Sequence, residues 1–187
     1  GGTLNVGFSL NPSTLDGAGG NSAYIFDTLV SGVTEELFTI SPKLTEDLIP
    51  RLALSAEPSS DLTTWTFKLR PNVKFHDGSS WDADALKVNV DRVIDKSSPL
   101  YDSTLASYCA QSYGGVASVD VIDQYSAKFT LKAPNNDLLG TLVTSGHVRF
   151  LSPTALQKLG KDIVRAPVGT GPYKFQEWVP QQHVDFQ

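Results

Sequence analysis

The chain has 187 residues, a formal net charge of −5 and a 40% share of hydrophobic residues. This length suits one domain with a substantial core, and the composition excludes a disordered, collagen-like or low-complexity protein. An acidic balance without a long basic run lacks the electrostatic footprint of a nucleic-acid-binding protein. No apolar stretch approaches the roughly 18 residues that indicate a membrane span.

The N-terminal third predicts a strand, a loop and a helix. Residues 3–8 place apolar side chains at alternate positions, which predicts a short strand. A run of small residues at 17–22 predicts a loop, and apolar residues at helical spacing follow through residues 24–33. Residues 42–58 are predicted to be mostly connection, with one short apolar run at 52–54.

The middle of the chain gives the clearest periodic signals. Trp65, Phe67 and Leu69 alternate with polar residues, which predicts a half-buried strand whose apolar face belongs to the core. A turn is predicted at residues 76–78, where a glycine allows positive φ. Asp82 or Ser80 is a suitable N-cap for an amphipathic helix that continues to about residue 96.

Strands and short helices are both predicted in the C-terminal half. They comprise a second helix within 97–110, a hairpin from 116–122 and 127–132, a helix at 137–144, a strand at 148–151, a helix from Ser152 to 159, and strands at 173–179 and 183–186. The chain as a whole is therefore predicted to be a mixed α/β (α+β) protein with several antiparallel pairs.

The sequence contains no recognisable catalytic or metal-binding motif. It lacks the nucleophile-elbow, zinc-protease, P-loop and dinucleotide-binding patterns. Cys109 is the single cysteine, and His76, His147 and His183 share no ligand spacing. His76 next to Asp77 suits acid–base chemistry, but a polar turn is the favoured interpretation. We therefore expect no catalytic residue, metal or cofactor.

Several segments, taken together and in order, resemble one protein family. They are Leu15-Asp16, IPRLA at 49–53, SDLTTWTFKLR at 60–70, VKFHDG at 73–78, ADA at 83–85 with Asp91-Arg92, and GTGPY at 169–173. This series is similar to that of the extracytoplasmic solute-binding proteins of ABC importers, in the class that includes oligopeptide-, dipeptide- and nickel-binding members. The resemblance covers essentially the whole chain, although Gly17 stands where the family usually has proline.

The resemblance implies a particular domain organisation. Residues 1–40 would form the first part of lobe I of a periplasmic-binding-protein-like fold, 41–165 a large inserted α+β subdomain, and 166–187 the return strands into lobe I. Family members are much longer, so lobe II and the hinge are expected to be absent from this chain, which would be an N-terminal fragment. The Gly1-Gly2 start is expected to be a mature N-terminus after removal of an export signal.

The function implied by the resemblance is solute uptake without covalent chemistry. A small peptide or other small solute would be captured between two closing lobes and delivered to an ABC permease at the membrane. Peptide-type members pair the extended ligand backbone with protein strands. The protein would act as a monomer outside the cytoplasm, in the periplasm or at the outer face of the membrane, where a lipid anchor is one option. No nucleic acid is expected as a partner.

Five residues are the ligand-binding candidates that the resemblance implies: Gly20, Asn21, Ser22, Ala23 and Tyr101. The first four match a cleft-lining loop, where small residues allow close approach of a ligand backbone and polar ones hydrogen-bond to it. The alternative is a plain glycine-rich turn. Tyr101 matches an aromatic residue over the cleft, and ordinary helix packing is its alternative.

Other functions remain open at this point. A receptor or sensory module would keep the same fold and signal to a membrane partner. An unrelated secreted hydrolase would need a catalytic constellation, which the sequence does not display. A fragment with one lobe is expected to bind ligand weakly or not at all, because closure of the second lobe supplies half of the contacts.

Overall fold

A computed structural model describes residues 2–7, 12–16, 29–41, 48–144 and 149–187. The strands of this part of the chain are β1 Phe38–Ile40, β2 Leu48–Pro50, β3 Ala53–Pro58, β4 Thr64–Leu69, β5 Val116–Asp123, β6 Ser126–Leu131, β7 Phe175–Val179 and β8 His183–Phe186. The helices are α1 Ala83–Ile94, α2 Ser103–Tyr108, α3 Ala110–Tyr113, α4 Leu138–Thr144 and α5 Pro153–Leu159, followed by a 3₁₀ helix at Gly160–Arg165.

An antiparallel sheet in the order β3-β4-β6-β5 organises the main core. Trp65, Phe67 and Leu69 of β4 are buried, which confirms their prediction as core residues. The rings of Phe67 and Phe129 lie 4.6 Å apart across the β4–β6 pair, where Phe129 is the diagonal neighbour of Phe67. The alternation of apolar and polar residues in the sequence therefore indicates the buried face of β4, a central strand of the sheet.

Helix α1 confirms the helix predicted after Asp82. The Asp82 side chain accepts a hydrogen bond from the Ala85 backbone N–H at 2.9 Å, as an N-cap does. Leu86 and Val90 are fully buried on the helix face that packs on β5 and β6. Trp81, which precedes the N-cap Asp82, is also fully buried, and its Nε1 donates to the Leu52 carbonyl at 3.0 Å. Cap and apolar period together fix this helix on the sheet.

The predicted turn at residues 76–78 is tied to a distant helix. Gly78 has a φ of +86°, as the turn requires. The Asp77 carboxylate accepts hydrogen bonds from the Ser79 hydroxyl at 2.6 Å and from the Ser152 hydroxyl at 2.5 Å, and Ser152 is the N-cap of α5. Partial burial by itself raises the pKa of Asp77, but these hydrogen bonds outweigh it and lower that pKa below its usual 3.8.

The glycines of the GTGPY segment lie directly on the backbone of residues 32–34. A Cβ on Gly169 would collide with the Val33 carbonyl, and one on Gly171 would lie 2.6 Å from the Gly32 carbonyl oxygen. His76 holds the same segment, because its backbone N–H donates to the Gly169 carbonyl and its Nε2 lies 2.8 Å from the Gly171 carbonyl oxygen. The structure therefore supports a structural role for His76 over acid–base chemistry.

The β7–β8 hairpin packs one face onto the N-terminal part of the chain. Phe175, Trp178 and Val184 contact a small cluster built on the buried Leu15 and Val30. Trp178 also lies under the guanidinium of Arg165, with 5.6 Å from its central carbon to the ring centroid.

Several predicted elements differ from the structure. Residues 2–7 are not assigned to a strand, and neither are residues 149–151. Residues 48–58, predicted as connection, contain β2 and β3. The proposed division at residues 40/41 and 165/166 stays a prediction. None of the helices in the described ranges combines the length and apolar composition that crossing a bilayer requires.

The Phe67–Phe129 contact predicts a large cost for truncation. Phe67→Ala should lower the free energy of unfolding by about 3–5 kcal/mol, because it leaves a cavity at the centre of the sheet. Ile122→Ala, at a side chain that is 54% exposed, should cost about 1 kcal/mol or less. Urea unfolding followed by circular dichroism measures both. Equal losses would contradict the assignment of Phe67 to the core.

The Asp77 hydrogen bonds predict a pH dependence of stability. A carboxylate whose pKa is lower in the folded state stabilises the fold above its unfolded pKa, and this contribution is lost as the pH falls through the folded pKa. Asp77→Asn should therefore be less stable at neutral pH and lose less stability between about pH 5 and pH 2. Glu57→Gln, which removes an exposed carboxylate on β3, is the control. Identical pH profiles for the wild type and Asp77→Asn would refute the prediction.

Candidate functional site

A cavity of about 510 Å³ opens between residues 13–16 (the N-terminal segment), the end of α1, and the region formed by α5 and the following 3₁₀ helix. Its walls combine apolar, aromatic and charged side chains. They are formed by Ser13, Thr14, Asp16, Arg92, Pro99, Leu100, Tyr101, Asp102, Thr104, Leu105, Tyr108, Leu156, Gly160, Lys161, Ile163 and Val164. This size and mixture suit a small organic ligand.

The loop that follows α1 is folded back onto that helix. The Tyr101 backbone N–H donates to the Ser98 carbonyl, and the Asp102 N–H donates to the Arg92 carbonyl, each at 3.0 Å. The Asp102 side chain then caps α2 by accepting from the Thr104 backbone N–H at 2.8 Å. These local bonds place Tyr101 at the cavity wall.

A buried ion pair joins the N-terminal segment to α1 at the edge of the cavity. Arg92 donates from Nη1 and Nη2 to the two carboxylate oxygens of Asp16, at 2.8 Å and 2.6 Å. The two side chains are only 3% and 1% exposed. The Leu15 N–H also donates to the Val164 carbonyl at 2.7 Å, so the segment is fixed on both sides. The planar guanidinium matches the carboxylate in two-point geometry.

The electrostatics around this pair disfavour nucleophilic chemistry. Burial alone lowers the pKa of Arg92, but the adjacent Asp16 carboxylate raises it above its ordinary value, so Arg92 is a permanent cation. Burial raises the pKa of the nearby Cys109 thiol to about 12, despite the opposing effect of Arg92. Burial also raises the pKa of Tyr113 well above 10. Neither group is ionised at neutral pH, so neither is an activated nucleophile.

The predicted ligand-binding residues fall into two groups. Tyr101 lines the cavity. Gly20, Asn21, Ser22 and Ala23 lie outside the described residues. The sequence motifs singled out Leu15-Asp16 only as a family signature, and Asp91-Arg92 only as a match to the helix that follows the family's longest motif. Arg92 lies seven residues after the buried Ala85, and residues seven apart lie on the same face of a helix. An arginine on the apolar face of α1 was therefore the signal in the sequence that could have indicated a buried ion pair.

Comparison with known proteins places the chain in a family. Residues 47–187 match the family described as bacterial extracellular solute-binding proteins, family 5 Middle, and the chain belongs to that family. Its members are solute-binding proteins rather than enzymes, which favours solute binding over an unrelated hydrolase. The resemblance seen in the sequence motifs is thereby confirmed.

Individual relatives agree with this family. The chain is 43% identical over 131 residues to the glutathione-binding protein GsiB of Pectobacterium atrosepticum, covering 70% of this chain and 24% of the relative. It is 37% identical over 175 residues to GsiB of Salmonella paratyphi A, covering 92% of this chain and 32% of the relative. This chain thus spans about a quarter to a third of the curated relatives it matches.

A solved structure shows the same fold. The dipeptide-binding protein of a Pseudoalteromonas species, in complex with Met-Leu, superimposes with a TM-score of 0.83 at 23% identity. The match covers 95% of this chain and 38% of that protein. The mixed α/β fold with periplasmic-binding-protein similarity is therefore confirmed, whereas its assignment to lobes remains a prediction.

The Asp16–Arg92 pair predicts a strong dependence of stability on both partners. Arg92→Ala should lower the free energy of unfolding by about 3–5 kcal/mol, because it leaves the Asp16 carboxylate buried without its cation. The Asp16→Ala/Arg92→Ala double variant should cost less than the sum of the single variants. Asp91→Asn, in the more exposed Lys87–Asp91 pair of the same helix, should cost only about 0.5 kcal/mol. Additive losses in a urea-unfolding cycle would contradict the coupling.

Proposed function

We propose that the chain carries part of the solute-binding site of a family 5 protein and that the ligand is a small peptide. The observation that carries the proposal is the cavity between the N-terminal segment and the Tyr101 loop. It has the size of a small-ligand site and is bounded by two segments that hydrogen bonds and an ion pair hold in place. A pre-formed wall reduces the ordering cost of binding.

The chemistry of the wall supports a peptide as the ligand. Asp102 and Lys161 supply a carboxylate and an ammonium group, which complement the two charged ends of a peptide. The phenol ring of Tyr101 offers an apolar surface with a hydrogen-bonding end. The proteins similar to this chain include binders of glutathione, a tripeptide, and of the dipeptide Met-Leu.

Gly20, Asn21, Ser22 and Ala23 are proposed to contribute a second wall. They follow Asp16 in the sequence by four to seven residues, and the Arg92 ion pair fixes Asp16 beside the cavity. Small side chains would admit the ligand backbone, while Asn21 and Ser22 would hydrogen-bond to it.

The whole protein is proposed to capture its ligand between two lobes, as a monomer outside the cytoplasm, and to present it to an ABC permease. In this scheme the described cavity belongs to lobe I. Contacts from lobe II complete the site on closure, which excludes water from the ligand. The 187-residue chain by itself is therefore expected to bind peptides more weakly than micromolar.

Tyr101 provides the direct test of this function. Ligand-detected saturation-transfer NMR on the 187-residue chain should show weak binding of glutathione and Met-Leu, and no binding of a disaccharide of similar size. Tyr101→Ala should remove most of the peptide signal, because the ring forms part of the wall.

Tyr173→Ala is the matched control, since Tyr173 is 56% exposed and is not among the residues that line the cavity. It should bind peptides like the wild type. An unchanged signal in Tyr101→Ala, or an equal loss in both variants, would show that the cavity is not the peptide site. A micromolar constant would show that one lobe suffices.

A further inference from the structure

We infer that the outer face of the β7–β8 hairpin is a binding site for a divalent transition-metal ion, held by Glu177, His183 and Asp185. Each offers one ligand atom, and these atoms all lie within 4.8 Å of one another. None of the three lines the cavity. The site is therefore separate from the proposed peptide site and does not depend on it.

The strand register brings the three side chains together. Glu177 of β7 lies directly opposite Asp185 of β8, and His183 lies two residues before Asp185 on the same strand. Residues two apart on a strand project from the same face. Trp178 and Val184 occupy the opposite face, where they pack onto the cluster of Leu15 and Val30. The ligands consequently stand on a paired, anchored ribbon.

The distances match those between ligands of one metal ion. His183 Nε2 lies 3.5 Å from Glu177 Oε1 and 3.7 Å from Asp185 Oδ2. Metal–ligand bonds of about 2.1 Å at tetrahedral angles separate neighbouring ligand atoms by about 3.4 Å. Direct N–H···O hydrogen bonds are shorter, at about 2.7–3.2 Å. Only small side-chain adjustments are needed to place an ion between these atoms.

The two carboxylates of the cluster also favour the binding of a cation. Like charges directly opposite each other on paired strands are destabilising, and Glu177 and Asp185 are such a pair. An ion bound between them would replace this repulsion with two favourable contacts. His183 adds an imidazole nitrogen, which selects zinc-like ions over calcium or magnesium.

The exposure of the cluster fits a site with open coordination positions. The side chains of Glu177, His183 and Asp185 are 61%, 43% and 50% exposed. Three protein ligands leave at least one position of a tetrahedral ion for water. The hairpin therefore offers a solvent-accessible site of moderate affinity rather than a closed structural one.

Zinc binding to the 187-residue chain tests the inference. Calorimetric titration with Zn²⁺ in a non-chelating buffer should show one saturable equivalent, and Zn²⁺ should raise the melting temperature. His183→Gln, Glu177→Gln and Asp185→Asn should each weaken binding at least about tenfold. Because these side chains are exposed, the variants should keep the circular dichroism spectrum of the wild type. Co²⁺ should give visible absorption bands of a low-coordinate site in the wild type and lose them in His183→Gln.

Two control variants distinguish this site from unspecific binding. Glu57→Gln removes an exposed carboxylate from β3, and His147→Gln removes another histidine. Both should retain the wild-type affinity. Loss of binding in His147→Gln, equal weakening in Glu57→Gln, or non-saturable binding that the hairpin variants leave unchanged would overturn the inference.

Discussion

The buried ion pair between Asp16 and Arg92 is the contact on which the candidate site depends. It joins residues 76 positions apart in the sequence and holds the N-terminal segment against the last turn of α1. The Arg92 carbonyl, in the same turn, accepts a hydrogen bond from the Asp102 N–H, so the loop that carries Tyr101 is held against the same end of α1. A buried charge without its partner is costly, which leaves the segment few alternative positions. Both walls of the cavity are thereby defined relative to one helix end.

Helix α1 can set this position because its other face is fixed to the sheet. Its apolar face is buried on β5 and β6, and Asn89 ties the helix to the segment that precedes α5. The Asn89 amide donates to the Leu151 carbonyl at 2.8 Å and accepts from the Leu151 N–H at 3.0 Å. The next residue, Ser152, caps α5 and bonds to Asp77. The cavity thus lies where several fixed elements converge, which favours a pre-formed binding surface.

Local signals in the sequence predicted the elements that follow a simple period. β4 and α1 were predicted because alternation, helical spacing and the Asp82 cap are properties of neighbouring residues. β3 was missed because its sequence, ALSAEP, contains one large apolar residue and a proline, so it lacks the alternation of large apolar side chains that marks β4. The Asp16–Arg92 pair was missed because no local pattern links residues so far apart. Tyr101 was selected by resemblance, and the fold places it at the cavity.

The hairpin shows how one register serves two purposes. The bulge between Phe175 and Glu177 changes which residues of β7 face inward, so Phe175 and Trp178 both contact the Leu15 cluster while Glu177 faces outward beside Asp185. Without that bulge, strict alternation would put Phe175 and Glu177 on the same face. The bulge that lets the hairpin pack beside Leu15 therefore also brings two carboxylates and an imidazole together on the opposite face. A metal ion bound there would resist separation of β7 from β8 without entering the cavity.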